Sequence, residues 1–285
     1  MRSTNPVLSK PDTWQVDPAQ TQGQYQAQYG QPGQYAQYAQ YAQPGQPGGY
    51  VQDPYQQAPV VPQAPGRMTI DDVITKSAIT MGTLMVVAAL TFVFMPAQIL
   101  FPAAMISAVV AFGTVLLVSF RRALNPAFVL AYAAIEGVFI GAISKVYEDA
   151  WNGIVPAALM ATLVAAAATL GAYKFFRIKV TSKFRKMVMI GTIAYAGVLF
   201  VNMILSFFGM GFLFSSGNLG LLLLISALGV GLAVFNLILD FDYIEQGIAM
   251  GASDTESWRA AFGLTVTMVW LYIEMLRLLS YFRSN

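Results

Sequence analysis

Two carboxylates interrupt long apolar stretches near the end of the chain. Asp240 follows LLLLISALGVGLAVFNLIL, and Glu274 lies within FGLTVTMVWLYIEMLRLLSYF. An unpaired carboxylate at the centre of a bilayer costs roughly 2.5 to 3.5 kcal/mol even on the mildest insertion scale, so it is retained where it has a partner or a function. Asp240 and Glu274 are therefore the first candidates for proton or cation chemistry.

A basic residue close to Glu274 leaves two interpretations open. Arg277 follows Glu274 by one helical turn, so the two side chains are neighbours on one helix face and can neutralise each other as a local ion pair. Alternatively, Glu274 meets Asp240 across the bundle. That contact requires the helix of Asp240 to continue past it, or the last helix to begin late, near Leu264.

Three further acids lie within or beside apolar segments. Asp242 and Glu245 follow Asp240 closely, and we expect them inside the bundle or at its mouth if that helix continues. Glu136, in EGVFIG, has two interpretations: an acid that lines a pore, or a buried acid that packs beside Gly137.

Composition places the chain among integral membrane proteins. Hydrophobic residues make up 56% and charged residues only 11% of the sequence, whereas soluble domains carry roughly 25% charged residues. The chain has no cysteine and no histidine, which excludes disulfides, thiolate metal sites and imidazole catalysis. Without a nucleophile motif or phosphate loop, we expect no enzyme activity and no cofactor, and a net charge of +2 gives no reason to expect nucleic-acid binding.

The apolar residues lie downstream of about residue 67 in seven stretches, each near the ~20 residues that cross a bilayer. This pattern predicts an all-α membrane protein, a seven-transmembrane helix bundle over residues 67–285. Gly137 and Gly141 form a GxxxG pair, a spacing typical of closely packed membrane helices. The predicted spans are residues 74–94, 98–118, 127–147, 154–173, 187–208, 219–239 and 261–281.

Residues 1–66 differ sharply from the rest of the chain. They are rich in Gln, Pro, Gly and Tyr, with the near-repeat GQYAQYAQYAQPGQPGGY, and they lack the aliphatic residues that a folded core needs. We expect a disordered tail, which has no signal-peptide core and is therefore retained. Its tyrosines leave two interpretations open: the tail associates weakly with other copies of itself or with a partner, or it is a flexible segment with no specific role.

The basic residues predict how the chain is oriented in the membrane. Loops on the amino-terminal side carry most of the lysines and arginines, which places the amino terminus and the tail in the cytoplasm. We therefore expect a multi-pass protein of the cell inner (plasma) membrane. The loop after the sixth helix is an acidic exception on that side. The basic residues of those loops are Arg121, Arg122, Lys174, Arg177, Lys179, Lys183, Arg185, Lys186 and Arg259.

Three segments resemble one known family. LILDFDYIEQG, WLYIEMLRLLSYF and NPAFVLAYAAIEGVFIGAIS are similar to the Bax inhibitor-1/YccA (transmembrane Bax inhibitor motif) family, and the polar tail is similar to that of its actinobacterial members. The resemblance covers about residues 68–285. It implies that Asp240 and Glu274 form a proton-sensing pair that gates a pH-dependent calcium leak. Glu274 stands where the family carries aspartate.

The resemblance and the two acids together give the leading functional expectation. We expect a pH-regulated cation leak or channel for Ca²⁺, with Asp240 and Glu274 titrating as a coupled pair. The same two carboxylates are a candidate weak Ca²⁺ station, although they fall short of the 6 to 8 oxygens of a full site. The alternative is a non-transporting regulator that binds other membrane proteins, such as an AAA-type membrane protease. A proton-coupled transporter has less support, because no inverted repeat is evident.

Overall fold

The computed structural model describes residues 66–120, 125–176, 178–210 and 219–284. Within these ranges it contains seven helices, each long and apolar enough to cross a membrane. The predicted all-α, seven-span architecture is confirmed. The expected disordered tail lies outside the described residues, except for Gly66. The helices are α1 (Ile70–Phe94), α2 (Ala97–Phe120), α3 (Pro126–Ala150), α4 (Ile154–Phe175), α5 (Ser182–Phe207), α6 (Leu219–Ala249) and α7 (Glu256–Arg283).

Polar caps fix where three of the helices begin. Thr69 and Thr181 precede α1 and α5, and each side chain accepts a hydrogen bond from the backbone N–H three residues later. Asn125 does the same for Ala127 at the start of α3, where Pro126 occupies the first helical position. These groups satisfy N–H donors that have no partner within their own helix.

Helix α7 is in contact with α1, α3, α4 and α6. Its buried residues Val269, Tyr272 and Leu276 belong to one apolar cluster with Leu84 of α1 and Ala158 of α4. The most apolar stretch of α7 has a larger fraction of buried residues than the corresponding stretch of any other described span. Polar groups on α7 are consequently screened from lipid by the surrounding helices.

The GxxxG pair of α3 brings that helix against α1. A Cβ atom on Gly137 would lie 2.7 Å from the carbonyl oxygen of Leu84 and 2.8 Å from Cβ of Val87. A Cβ atom on Gly141 would come closer still to the carbonyl oxygen of Ala88. The expected role of these glycines in close helix packing is therefore confirmed.

Helix α6 is longer than the sequence predicted, because it continues past Asp240 as far as Ala249 rather than ending near residue 239. The cause is an apolar stripe that persists between the acids: Ile244 is buried with Met68, Val73 and Ala260. Helix α7 begins at Glu256, earlier than the predicted residue 261. Of the two alternative conditions for a contact between Asp240 and Glu274, continuation of α6 past Asp240 is therefore met, and a late start of α7 is not.

The segment before α1 is attached to the loop after α6. The backbone N–H of Met68 donates to the carbonyl oxygen of Ala252 at 2.7 Å. The backbone N–H of Asp254 donates to the carbonyl oxygen of Gly66 at 2.8 Å. The Lys76 ammonium donates to the carbonyl oxygen of Asp254 at 2.8 Å. The loop that follows the acidic end of α6 is therefore held against the start of α1.

We predict that Gly137→Ala destabilises the protein, because the added methyl group would push α3 away from the backbone of α1. Overpacking of this kind costs typically about 1 to 3 kcal/mol. Gly171→Ala is the matched control, since a Cβ atom there would meet no atom within 4 Å, and alanine is the better helix former. Thermal unfolding in detergent followed by circular dichroism measures both. Equal melting temperatures for Gly137→Ala and the native chain would contradict the close contact.

Candidate functional site

Glu274 is the most fully enclosed acid in the described part of the chain, with 1% of its surface exposed. Its carboxylate accepts two hydrogen bonds from Nη1 of Arg277, at 3.0 and 3.1 Å. The hydroxyl of Tyr195 donates to it at 2.9 Å, and the indole N–H of Trp270 donates at 3.3 Å. The Glu274–Arg277 ion pair, one of the two interpretations open from the sequence, is therefore present and is supported by two neutral donors.

Tyr195 of α5 completes this network, although it was not among the residues predicted from the sequence. Its ring stacks on Trp270 with 5.8 Å between centroids, and its hydroxyl accepts a bond from Arg277 at 3.4 Å while donating to Glu274. The backbone of α5 packs against α6 alone among the described helices, so Tyr195 reaches past α6 to α7. A tyrosine in the middle of an apolar span needs a hydroxyl partner, and that signal was available in the sequence.

Gly229 of α6 provides the space that the Glu274 carboxylate occupies. A Cβ atom on Gly229 would lie 2.6 Å from Cδ and 2.7 Å from Oε2 of Glu274. Any larger residue at this position would displace the carboxylate from its donors. Gly229 is a second residue of this site that was not predicted from the sequence.

Asp240 has a different and simpler environment. Its Oδ2 accepts a hydrogen bond of 2.6 Å from the hydroxyl of Thr267 on α7, and Oδ1 would lie 3.4 Å from a Cβ atom on Gly263. In the described part of the chain, no lysine or arginine forms a salt bridge with Asp240. Asp240 is thus bound by a neutral hydroxyl, whereas Glu274 has a cationic partner.

The structure does not bring the two acids together. Asp240 is bonded to Thr267, which precedes Glu274 by two turns of α7, roughly 10 Å at 1.5 Å per residue. On α6, Glu274 lies against Gly229, three turns before Asp240. The carboxylates therefore occupy two levels of the α6–α7 contact, and they do not converge on one proton or on one Ca²⁺ position.

Two further polar side chains lie between these two levels. Asn236 of α6 lies between them and donates to the hydroxyl of Thr192 on α5 at 2.7 Å. We call the polar side chains of both levels, together with those between them, the polar file. Its members are Asp240, Thr267, Asn236, Thr192, Tyr195, Trp270, Glu274 and Arg277. From Asp240 to the level of Gly229 the polar file extends roughly 16 Å along α6, about half of a ~30 Å hydrocarbon core.

Asp242 and Glu136 lie outside the polar file. The carboxylate of Asp242 is paired with Arg185 at 2.8 Å and accepts a bond from Gln246 at 2.7 Å. Glu136 is buried on α3 beside Gly137. Among the described residues, its carboxylate has no hydrogen-bond or ion-pair partner. The structure thus favours the interpretation of Glu136 as a buried packing residue on the α3 side.

The described residues also contain no cluster of three or more acids that could hold a metal ion. A complete Ca²⁺ site needs 6 to 8 oxygens, and Asp240 and Glu274 each contribute one carboxylate at separate levels. At Glu274 a cation would have to displace Arg277. Of the two residues expected to form a joint weak station, Asp240 is the one that forms no salt bridge with a lysine or arginine of the described residues.

We predict strong thermodynamic coupling between Glu274 and Arg277. Removing one partner of a buried ion pair costs about 3 to 5 kcal/mol, because the other charge is left uncompensated. Arg277→Met and Glu274→Gln should each lower the unfolding free energy, and the double variant should lose much less than their sum. Equilibrium unfolding in mixed micelles measures all four proteins. Additive losses would show that the pair makes no coupled contribution.

Gly229→Ala should disturb the same network without changing a charge. The methyl group must displace the Glu274 carboxylate, so we expect a loss of about 1 to 3 kcal/mol in unfolding free energy. Gly231→Ala on the same helix is the control, because a Cβ atom there meets nothing within 4 Å. If both variants unfold alike in the same assay, the close approach of Glu274 to α6 is wrong.

Comparison with known proteins agrees with the resemblance found in the sequence. A family model described as Bax inhibitor 1 like matches residues 5–284. A search of curated proteins found no match. The matched range includes all seven helices and every residue of the polar file. The chain belongs to the Bax inhibitor 1 like family of membrane proteins.

Proposed function

We propose that this protein is a proton-regulated cation leak, with Ca²⁺ as the conducted ion. The observation that carries this function is the polar file at the contact of α5, α6 and α7. Ionisable residues inside membrane helices mark ion and proton pathways, since their burial in hydrocarbon is otherwise costly. Family membership supports the same function, and no enzymatic activity is assigned.

The environments of the two acids suggest separate tasks. Asp240 has a neutral hydroxyl partner, so its ionised carboxylate keeps a charge that attracts a passing cation. Protonation of Asp240 removes this attraction. Glu274 holds Arg277 and Tyr195, so protonation would weaken the bonds that connect α5 to α7. Asp240 then acts as the cation contact, and Glu274 acts as the conformational sensor. This is a two-level mechanism in place of a shared proton.

Orientation follows from the charges at the helix ends. The basic residues Lys174, Lys179, Lys183, Arg185 and Lys186, at the end of α4, in the connection and at the start of α5, favour a cytoplasmic amino terminus. Asp242 and Arg185 then lie at the cytoplasmic mouth of the file. A cation from that side would reach Asp240 before Glu274.

Flux through liposomes loaded with a calcium-sensitive dye tests this function. We predict that Asp240→Asn lowers Ca²⁺ flux by roughly tenfold or more, because a carboxylate attracts a divalent cation at 4 Å by about 2 to 8 kcal/mol between aqueous and protein-surface dielectric. Most of the rise in flux with pH should also disappear. Glu274→Gln should keep a measurable flux but lose pH-dependent gating. Asp149→Asn is the control, since Asp149 pairs with Lys145 at an exposed position of α3.

Two outcomes would contradict the assignment. Unchanged flux and an unchanged pH profile in Asp240→Asn would show that Asp240 is not the cation contact. Absence of flux at every pH, together with co-purification of a membrane protease or another membrane protein, would favour the non-transporting regulator instead.

A further inference from the structure

A cavity of about 1110 Å³ opens between α1, α4 and α6, at the end of α6 that carries the acids. Val73, Leu170, Ile244 and Ile248 form part of its apolar wall. Leu170 is exposed on the outer surface of the bundle, which faces lipid in a membrane. The cavity is therefore accessible to a molecule that comes from the bilayer.

The acids in the cavity wall already have partners. Asp242 forms an ion pair with Arg185 at 2.8 Å, and Glu245 accepts a hydrogen bond from Tyr173. Arg185 therefore neutralises Asp242, whereas the Tyr173 hydroxyl hydrogen-bonds Glu245 without neutralising its charge. Asp242 therefore needs no positive charge from a ligand, and Glu245 is exposed, so that water can solvate its charge.

Two lysines at the rim give the cavity a positive edge. Lys174 lies in the last turn of α4, and Lys179 lies in the connection to α5. Both side chains are exposed and line the cavity. Within the described ranges neither lysine forms a salt bridge. The edge therefore favours an anionic group, and basic pockets between membrane helices are suited to anionic head groups.

Ser77 provides an independent indication of a ligand. It lines the same cavity from α1, only 9% of its surface is exposed, and its Oγ has no hydrogen-bond partner among the described residues. A buried hydroxyl without a partner is unfavourable. Ser77 lies two turns into α1, roughly 10 Å along the helix from Ile70, so the hydroxyl is deeper than the lysines.

We propose that this cavity binds an anionic glycerophospholipid. Its phosphate lies between Lys174 and Lys179, an ester carbonyl accepts a hydrogen bond from the Ser77 hydroxyl, and an acyl chain follows the apolar wall. The order of the three chemistries, from charged rim to polar middle to apolar wall, matches the order along such a lipid. A free phosphate would use the lysines alone and leave the serine unsatisfied.

Native mass spectrometry of the full chain, released from detergent with added lipid, tests the head-group site. Phosphatidylglycerol should be retained in preference to zwitterionic phosphatidylcholine. Lys174→Gln combined with Lys179→Gln should weaken that retention by roughly 25-fold, as expected for two basic groups near an anionic lipid. Lys183→Gln combined with Lys186→Gln is the charge-matched control, because neither lysine lines the cavity. An equal effect of both double variants, or equal retention of the two lipids, would overturn the site.

Ser77→Ala tests the ester contact. The native chain should retain ester-linked phosphatidylglycerol over its ether-linked analogue by about fivefold, the value of one hydrogen bond, and Ser77→Ala should abolish this preference. Leu170→Trp should weaken lipid retention by narrowing the outer opening of the cavity, and its unchanged melting temperature in detergent would confirm that it folds. Undiminished retention in spite of the tryptophan would place the lipid elsewhere. If inorganic phosphate raises the melting temperature as much as phosphatidylglycerol does, the site binds phosphate and the lipid assignment is wrong.

Discussion

An ionised side chain inside a bilayer must find its partners within the protein, and the bundle is arranged around this requirement. Helix α7 carries Glu274 and Arg277, and it lies among α1, α3, α4 and α6. The glycines of α3 let α1 approach closely, and Gly229 of α6 leaves room for the Glu274 carboxylate. Tyr195 then contributes a donor from the more peripheral α5.

The same requirement separates the two acids into different kinds of group. Glu274 exchanges hydration for a cation and two neutral donors, so its charge is balanced locally. Asp240 has the Thr267 hydroxyl, which stabilises a carboxylate less than an arginine does. In this chain Asp240 and Glu274 therefore lie at two levels of the polar file, whereas a shared proton would require direct contact. The arginine one turn from Glu274 is the residue that makes this arrangement stable.

The sequence predicted the number of spans, the GxxxG contact and the spacing that pairs Glu274 with Arg277, because these depend on local periodicity. It did not predict the end of α6, since acids at a helix end resemble a span boundary when their burial against Met68 and Val73 is unknown. Tyr195 and Gly229 were also missed. Their roles depend on which helices are neighbours, and that information is absent from the pattern of any one helix. Ser77 could be recognised only once the cavity was located.

The most direct test of the account measures the spacing of the two acids in the membrane. The native chain has no cysteine, so cysteine pairs can be introduced without background. A short bifunctional thiol reagent should cross-link Asp240→Cys with Thr267→Cys, and it should fail to cross-link Asp240→Cys with Glu274→Cys. Efficient cross-linking of the 240/274 pair, with none of the 240/267 pair, would contradict the two-level arrangement and restore the shared acid pair.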